Sequence, residues 1–404
     1  MSIVKIQNSH LSGVLTLPPS KSAAHRALIC SFLAGGGTVE PIISSNDMKA
    51  TVGVINSLKN GEGILNCIES GSTMRFMIPV AAALGRDVTF IGEGSLLPRT
   101  IGEYLELLPK HGVSVESSGF LPLKISGRLK NGTYEVNGDV SSQYITGLLL
   151  ALAGVEGDSA VILKTPLQSK PYVDMTVKVM SDYGVSVSET DFGYLIHGGQ
   201  KYIKRDYTVE GDWSHAAFYM SAAAIGGEVT LLGADSDSAQ GDKAVAEVMK
   251  RFGAEVIADK NSITCKKGEL HGIEIDCTDI PDMVPAIAVT AAFAKGKTVI
   301  KGAGRLRLKE SDRIEAVASN LRKMGVDVEE TADGMIISPC GTVCGAELCG
   351  YNDHRIVMAF SVAGLFAKGE TVISDAESIN KSYPSFFDDY NKLGGKADVI
   401  SIRQ

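Results

Sequence analysis

The chain has 404 residues, of which 44% are hydrophobic and 21% charged, and it carries a net charge of −8 at neutral pH. This is ordinary globular composition, with apolar material for more than one core and two or three domains. The acidic balance, without a basic arm or a long run of like charge, argues against a nucleic-acid partner.

The N-terminal segment MSIVKIQNSHLSG has neither a long apolar core nor a small-residue cleavage site, so a secretory leader is not expected and a cytoplasmic location is. The longest apolar runs, Gly147 to Val155 and Met283 to Ala294, fall short of the ~20 residues of a membrane span and read as buried helices. Seven scattered cysteines suit a reducing compartment. Cys340, Cys344 and Cys349 cluster without paired zinc spacing, and read as small hydrophobes in a hairpin, with no metal site.

A Gly-x-Val strand pattern recurs along the chain. It begins weakly as GGGTVE at Gly35 and returns as GRDVTFIG, GDSAVILK, GGEVTLLG, KGKTVIKG and KGETVIS. A second pattern runs in step, a helical stretch ending in Gly and then an alternating strand, around Gly112, Gly184, Gly253, Gly325 and Gly394. The period of roughly 65–70 residues predicts about six repeats of an α/β unit. Repetition alone leaves open whether they form one ring or two groups of three.

Polar segments in chain order carry the chemistry. LPPSKSAAHRAL stops a strand at Pro18 and Pro19, and Ser20 can cap a helix that holds Lys21, Ser22 and Arg26 at its positive end. In ESGSTMR, Gly71 allows close approach to the backbone and Arg75 falls in the first helical turn. Arg99 follows a proline in LLPRT; Ser141, Ser142 and Gln143 lead into an apolar helix; SKPYVDM holds Ser169, Lys170 and Tyr172. Asp282 follows Pro281 at a helix entrance, where it could cap the helix or accept a proton. LKESDR places Lys309, Glu310, Asp312 and Arg313 together, NDHR brings Asp353, His354 and Arg355 to a helix start, and Lys381 precedes a turn.

Taken singly, most of these segments read as capped surface helices with solvated charges. Together they place eight cations (Lys21, Arg26, Arg75, Arg99, Lys309, Arg313, Arg355 and Lys381) at loop-to-helix junctions of an acidic protein, which calls for an anionic ligand. Asp282 and Glu310 are the acids placed for proton transfer. Four motif classes are missing: the Walker phosphate loop, the dinucleotide Gly-x-Gly-x-x-Gly, the Gly-x-Ser-x-Gly elbow and His-Glu-x-x-His.

Over nearly its whole length the sequence resembles the 5-enolpyruvylshikimate-3-phosphate synthase family, through LPPSKSAAHRAL, SGSTMR, LPRTIG, VSSQYITGLLL, SKPYVDMT, VEGDWSHAAF, IPDMVPAIAV, LKESDRIEAV, NDHRIVMAF and INKSYPSFF. The resemblance implies an α/β fold of two similar domains, each of three βαβαββ repeats, the inside-out α/β barrel of enolpyruvyl transferases. It implies residues 1–20 with 211–404 as one domain, 21–210 as the other, and an active site in the cleft between them. The activity implied is transfer of the enolpyruvyl group of phosphoenolpyruvate to the 5-hydroxyl of shikimate 3-phosphate in aromatic amino-acid biosynthesis, by a monomer without metal or organic cofactor.

Roles follow from the same resemblance. Asp282, Glu310 and Lys21 would be catalytic. Lys21, Ser22, Arg26, Ser141, Ser142, Gln143, Ser169, Tyr172, Asp282 and Lys309 would meet shikimate 3-phosphate. Lys21, Gly71, Arg75, Arg99, Gln143, Arg313, His354, Arg355 and Lys381 would meet phosphoenolpyruvate, and Gly71 would leave room for the inhibitor glyphosate. Glu69 and Arg305 depart from the family pattern, each standing where other members carry Asn. Two alternatives compete: a UDP-N-acetylglucosamine enolpyruvyl transferase, whose loop cysteine is missing from GEGSLLPRT, and a non-catalytic anion-binding scaffold, which would have lost Asp282 or Glu310.

Overall fold

A computed structural model describes residues 2–338 and 341–401. The chain divides into two compact units, one of Met1–Ser20 with Glu210–Gln404, the other of Lys21–Val209.

Strands β1 (Ser2–Ile6) and β2 (Ser12–Thr16) belong to the discontinuous unit. The continuous unit opens with α1 (Lys21–Leu33), β3 (Val39–Glu40) and α2 (Asn46–Asn60). A βαβαββ repeat follows: β4 (Ile64–Asn66), α3 (Gly71–Ala83), β5 (Val88–Ile91), α4 (Glu103–Lys110), β6 (Val113–Glu116) and β7 (Leu123–Gly127). The next is β8 (Thr133–Val136), α5 (Ser142–Leu152), β9 (Ser159–Leu163), α6 (Lys170–Asp182), β10 (Ser188–Thr190) and β11 (Gly193–Ile196), after which β12 (Tyr207–Thr208) pairs in parallel with β3.

The discontinuous unit resumes with α7 (Trp213–Gly226), β13 (Glu228–Leu232), α8 (Val245–Phe252), β14 (Glu255–Ala258) and β15 (Ser262–Lys266). Its second repeat is β16 (Glu274–Asp276), α9 (Val284–Ala292), β17 (Thr298–Lys301), α10 (Arg313–Lys323), β18 (Asp327–Thr331) and β19 (Gly334–Ser338). The last is β20 (Glu347–Leu348), α11 (His354–Phe366), β21 (Thr371–Ser374), α12 (Phe386–Lys392) and β22 (Ala397–Ser401).

Among the described residues, the five four-stranded sheets share one order. The first strand of the repeat pairs in parallel with the second, the second is antiparallel to the fourth, and the third closes the edge. In two sheets the N-terminus supplies a strand. β2 lies parallel to β13 with Leu15 opposite Leu231. β1 fills the fourth place of the last sheet, antiparallel to both β21 and β22.

The Gly-x-Val segments are the second strands β5, β9, β13, β17 and β21, and the weak copy is the two-residue β3. The sixth repeat therefore departs from the expected six-element unit. Only Gly61, Glu62 and Gly63 separate α2 from β4, which leaves no chain for a hairpin, so its sheet has two strands. The glycines after the helices behave as predicted: Gly112, Gly184, Gly253, Gly325 and Gly394 have φ of 87°, 79°, 107°, 86° and 103°. That left-handed turn releases the chain from the helix into the third strand. Those strands are less buried than their alternation suggested. β10 and β22 are largely exposed, because an edge strand has a sheet neighbour on one side only.

In the discontinuous unit α7, α9 and α11 pack on one another and are buried on nearly every face, as helices apolar all round must be. Ser221 Oγ and Thr290 Oγ1 meet at 2.7 Å between α7 and α9 and satisfy each other. α8 is amphipathic and buries Val245, Val248, Met249 and Phe252 along one stripe. In the continuous unit α3 and α5 form the corresponding buried pair, flanked by α1, α2 and α6. Both apolar runs read as core helices thus fall mostly in α5 and α9 and run two to three residues past their ends. Among the described residues no helix is long and apolar enough to cross a membrane.

Candidate active site

The loops that lead into the buried helices gather charge in each unit. In the discontinuous unit the centre is Asp282, in a 3-10 turn (Pro281–Met283) ahead of α9. The turn gives α9 its start without a side-chain cap, so the capping role considered for Asp282 is not the one observed. Its carboxylate faces cations instead. Arg313 Nη1 lies 3.0 Å from Oδ1, Arg355 Nη2 3.1 Å from Oδ2, and Lys309 Nζ 3.6 Å from Oδ1. Arg355 Nη1 also donates to the Asp282 carbonyl at 3.0 Å.

Arg313 is the hub. Its Nη2 donates to Glu310 Oε2 at 2.7 Å and its Nε to Asp353 Oδ2 at 2.7 Å. Asp353 in turn accepts from the Arg355 backbone N–H at 2.9 Å as the N-cap of α11, and from Ser311 Oγ at 3.0 Å. The two residues before it, Tyr351 and Asn352, have φ of 54° and 48°, a conformation that costs energy and swings Asp353 into the cluster. His354 is buried beside Asp353, with Nδ1 3.9 Å from Oδ1. Lys381 ends a 3-10 turn (Ala376–Lys381), buried, and donates to the Asn352 carbonyl at 2.8 Å.

The solvated-face reading of the LKESDR segment fails. Arg313 is 1% exposed, and Asp312 caps α10 through the Glu315 N–H while pairing with Arg307. Burial by itself would raise the Asp282 carboxyl, but Arg355, Lys309 and Arg313 hold it well below the usual carboxylate range. Burial pushes the Lys309 ammonium down, with Asp282 opposing. Burial also works against the charge on Arg313, yet Asp353, Glu310 and Asp282 outweigh it and raise its pKa.

In the continuous unit Lys21 opens α1 and pairs with Asp47 of α2 at 2.8 Å. Arg26, one turn on, is buried and bonded at each of its three nitrogens: Nε to Thr176 Oγ1 at 2.8 Å, Nη1 to the Ser22 carbonyl at 2.7 Å, Nη2 to the Tyr172 carbonyl at 2.9 Å. The first and last of these tie α1 to α6, just past Ser169, whose φ is 56°. Burial lowers the Arg26 pKa to about 10, which leaves it charged at neutral pH. Between Lys21 and Arg26, burial and those two cations keep His25 well below its ordinary value, so it is neutral. Its Nδ1 meets Thr51 Oγ1 at 2.7 Å, and the contacts continue through Thr73 Oγ1 to Ser70 Oγ, the N-cap of α3.

At the start of α3, Arg75 is the fifth helical residue, a turn later than expected. Its Nη1 donates to Gln143 Oε1 at 2.8 Å, and Gln143 Nε2 donates to Ser72 Oγ at 3.0 Å. Ser141 caps α5 through the Gln143 N–H, and Ser142 is the first residue of that helix. The Arg99 guanidinium lies against Gly71, so close that a β-carbon there would fall 2.7 Å from Arg99 Cζ. The structure therefore gathers Ser72, Arg75, Arg99 and Gln143 around Gly71, sets Ser22 and Tyr172 against Arg26, and pairs Lys21 with Asp47.

Three partners escaped the sequence reading as contributors: Asp353 as the anchor of Arg313, Asp47 opposite Lys21, and Thr176 behind Arg26. Asp353 carried a signal, an N-cap residue directly before His-Arg; Asp47 and Thr176, distant along the chain, carried none. Arg305, a departure from the family pattern, donates to the Thr278 carbonyl at 2.9 Å. Among the described residues, Cys344 and Cys349 do not share the expected hairpin. Cys344 is exposed and forms a bridge with Lys368, Cys349 follows β20, and Cys340 lies outside the described residues. Among the described residues no group of His, Cys, Asp and Glu is placed to hold a metal.

The family model described as EPSP synthase (3-phosphoshikimate 1-carboxyvinyltransferase) matches residues 45–390. The chain belongs to the EPSP synthase family. A curated relative from Clostridium novyi (strain NT), named 3-phosphoshikimate 1-carboxyvinyltransferase, is 39% identical over 433 residues that cover 100% of both chains. The solved EPSP synthase from Acinetobacter baumannii superposes with a TM-score of 0.82 at 28% identity, over 99% of this chain and 100% of that one. The enolpyruvyl transferase NikO from Streptomyces tendae shares the fold, with a TM-score of 0.80 at 16% identity, over 100% of this chain and 99% of that one. Membership makes the chain an enzyme, and the family's printed description favours the shikimate reading over the nucleotide-sugar alternative.

Proposed function

We propose that this chain transfers the carboxyvinyl group of phosphoenolpyruvate to the 5-hydroxyl of shikimate 3-phosphate, with Asp282, Glu310 and Lys21 in the proton transfers. The observation that carries the proposal is the Asp282 carboxylate, held by Arg313, Arg355 and Lys309 with Glu310 one guanidinium away. The two substrates carry about five to six negative charges, and in this reading the cations named above are the groups that meet them.

In this reading Arg26, Ser22, Ser141, Ser142, Ser169, Tyr172 and Lys309 receive shikimate 3-phosphate. Lys21, Arg75, Arg99, Gln143, Arg313, His354, Arg355 and Lys381 receive phosphoenolpyruvate against Gly71. The 5-hydroxyl oxygen bonds to the central carbon of the enol, and its proton passes to Asp282 with Lys21 assisting. Glu310 protonates the methylene carbon to a methyl group, which gives a tetrahedral intermediate. That intermediate then loses phosphate and a methyl proton, restoring the carbon–carbon double bond. Cations stabilise the departing phosphate.

The pairing of Asp282 with three cations bears on how it becomes a base. A carboxylate gripped by three cations is a weak proton acceptor. Substrate phosphate and carboxylate compete for the same guanidinium and ammonium groups, and each cation drawn toward a substrate raises the basicity of Asp282. Binding of the anions thus prepares the base.

Phosphate release tests the proposal. Release with both substrates together, and little with either alone or with UDP-N-acetylglucosamine as the acceptor, is the expected result. Turnover only with the nucleotide sugar would reverse it.

A further inference from the structure

Glu69 lies two residues before Gly71, and its side chain turns away from α3 toward the loop that carries Arg99. Its Oε2 accepts from the Ser95 backbone N–H at 3.0 Å and from Ser95 Oγ at 2.6 Å. Ser95 sits in a one-turn 3-10 helix (Gly94–Leu96) whose Leu96 is fully buried, and the Arg99 N–H donates to the Leu96 carbonyl at 3.0 Å.

The loop around this hook has little freedom. Gly94 has a φ of 54°, and a β-carbon on it would lie 2.6 Å from Glu69 Cδ, so the carboxylate fills the space any larger residue would need. Ile68, just before Glu69, takes a φ of 51°, a strained state for a β-branched residue, and its carbonyl accepts from the Glu93 N–H at 2.8 Å. At the far end the Thr100 carbonyl accepts from Arg75 Nη2 and from Tyr144 Oη, each at 3.1 Å. The loop is therefore held at its start, middle and end, and a carboxylate takes part at the middle point. Ser95 and Arg99 are four residues apart on the loop, as Glu69 and Gly71 are two apart on the chain they face. The Glu69–Ser95 hook thus lies four residues before Arg99, whose guanidinium rests against Gly71.

We propose that Glu69 is a positioning residue for phosphoenolpyruvate: it acts through Ser95 to hold Arg99 at Gly71, without touching the substrate itself. The inference rests on the assignment of Arg99 to phosphoenolpyruvate made above. A carboxylate suits the task because one oxygen takes both Ser95 donors in charge-assisted bonds. A loop displaced by an ångström is enough to impair a binding geometry.

The test is steady-state kinetics of E69A, E69Q, R99A and the E69A/R99A double variant, with both substrates varied and folding checked by urea unfolding. We expect E69A to raise KM for phosphoenolpyruvate about ten-fold while KM for shikimate 3-phosphate stays within about two-fold. E69Q, which keeps an oxygen acceptor, should recover most of the loss. E69A should add nothing in the R99A background, because its effect passes through Arg99. An E69A effect that is nil, equal on both substrates or additive with R99A overturns the inference while leaving the Arg99 assignment in place. If R99A itself leaves KM for phosphoenolpyruvate unchanged, that assignment fails and the inference falls with it. Should E69A unfold, S95A makes the same comparison from the other side of the hook.

Discussion

Arg313 Nε donates to Asp353 Oδ2 at 2.7 Å, and the two side chains are 1% and 0% exposed. A single buried carboxylate thereby orients the guanidinium that reaches Asp282 and Glu310, and also caps the helix that begins with His354 and Arg355.

Asp353→Ala should cost about 3–5 kcal/mol of stability, because it strands part of a buried guanidinium and removes a helix cap. Asp353→Asn keeps an acceptor and should cost less. Urea unfolding of the two variants beside the parent measures the difference. Equal stability of parent and Ala variant would mean that Arg313 finds another anion.

Asp282→Ala and Glu310→Gln should each lower turnover by at least about 100-fold, the usual scale for general acid–base groups. Near-normal phosphate release by both would support the anion-binding scaffold instead. The Asp282 ion pairs also have a stability signature. A carboxyl whose folded pKa lies below its unfolded value of about 3.9 stabilises the fold fully above that value and loses the effect as pH falls. The gap in urea midpoint between parent and Asp282→Asn should thus be constant from neutral pH down to about 5, and narrow below about 4.

Burial lowers the Lys309 pKa, so its proton leaves at a lower pH than that of a free lysine. The cation is present on the acidic side and lost as pH rises. KM for shikimate 3-phosphate should therefore climb through the alkaline range in the parent and stay flatter in Lys309→Arg, whose guanidinium keeps its charge. Profiles of KM against pH that coincide for the two proteins would remove Lys309 from the binding site.

Gly71→Ala places a methyl group against the Arg99 guanidinium, which must move. We expect KM for phosphoenolpyruvate to rise by about ten-fold and glyphosate inhibition to weaken in parallel. An unchanged inhibition constant, measured against varied phosphoenolpyruvate, would show that the inhibitor does not sit at Gly71.

Much of the architecture was legible because it is written in local periods. Each second strand announced itself as Gly-x-Val or a close variant, and each helix before a third strand is followed by a glycine whose left-handed turn needs no side chain. The short sixth sheet was less legible. GGGTVE resembles its neighbours, and only the spacing from α2 to β4 shows that no hairpin follows. The exposure of β10 and β22 depends on their place at a sheet edge, which alternation cannot report.

By itself the sequence determined the repeat, the family and the cations at helix starts, because capping and strand alternation act over a few residues and leave a regular trace. Only the tertiary structure decided how those charges are used: Asp282 gripped by three cations, Arg313 anchored on Asp353, and Glu69 spent on Ser95. These pairs join residues 26 to 73 positions apart or share one crowded turn. Hydrogen bonds need contact distance and Coulomb energies depend on separation in space, so their strength is set by where loops come to rest and not by the order of residues along the chain.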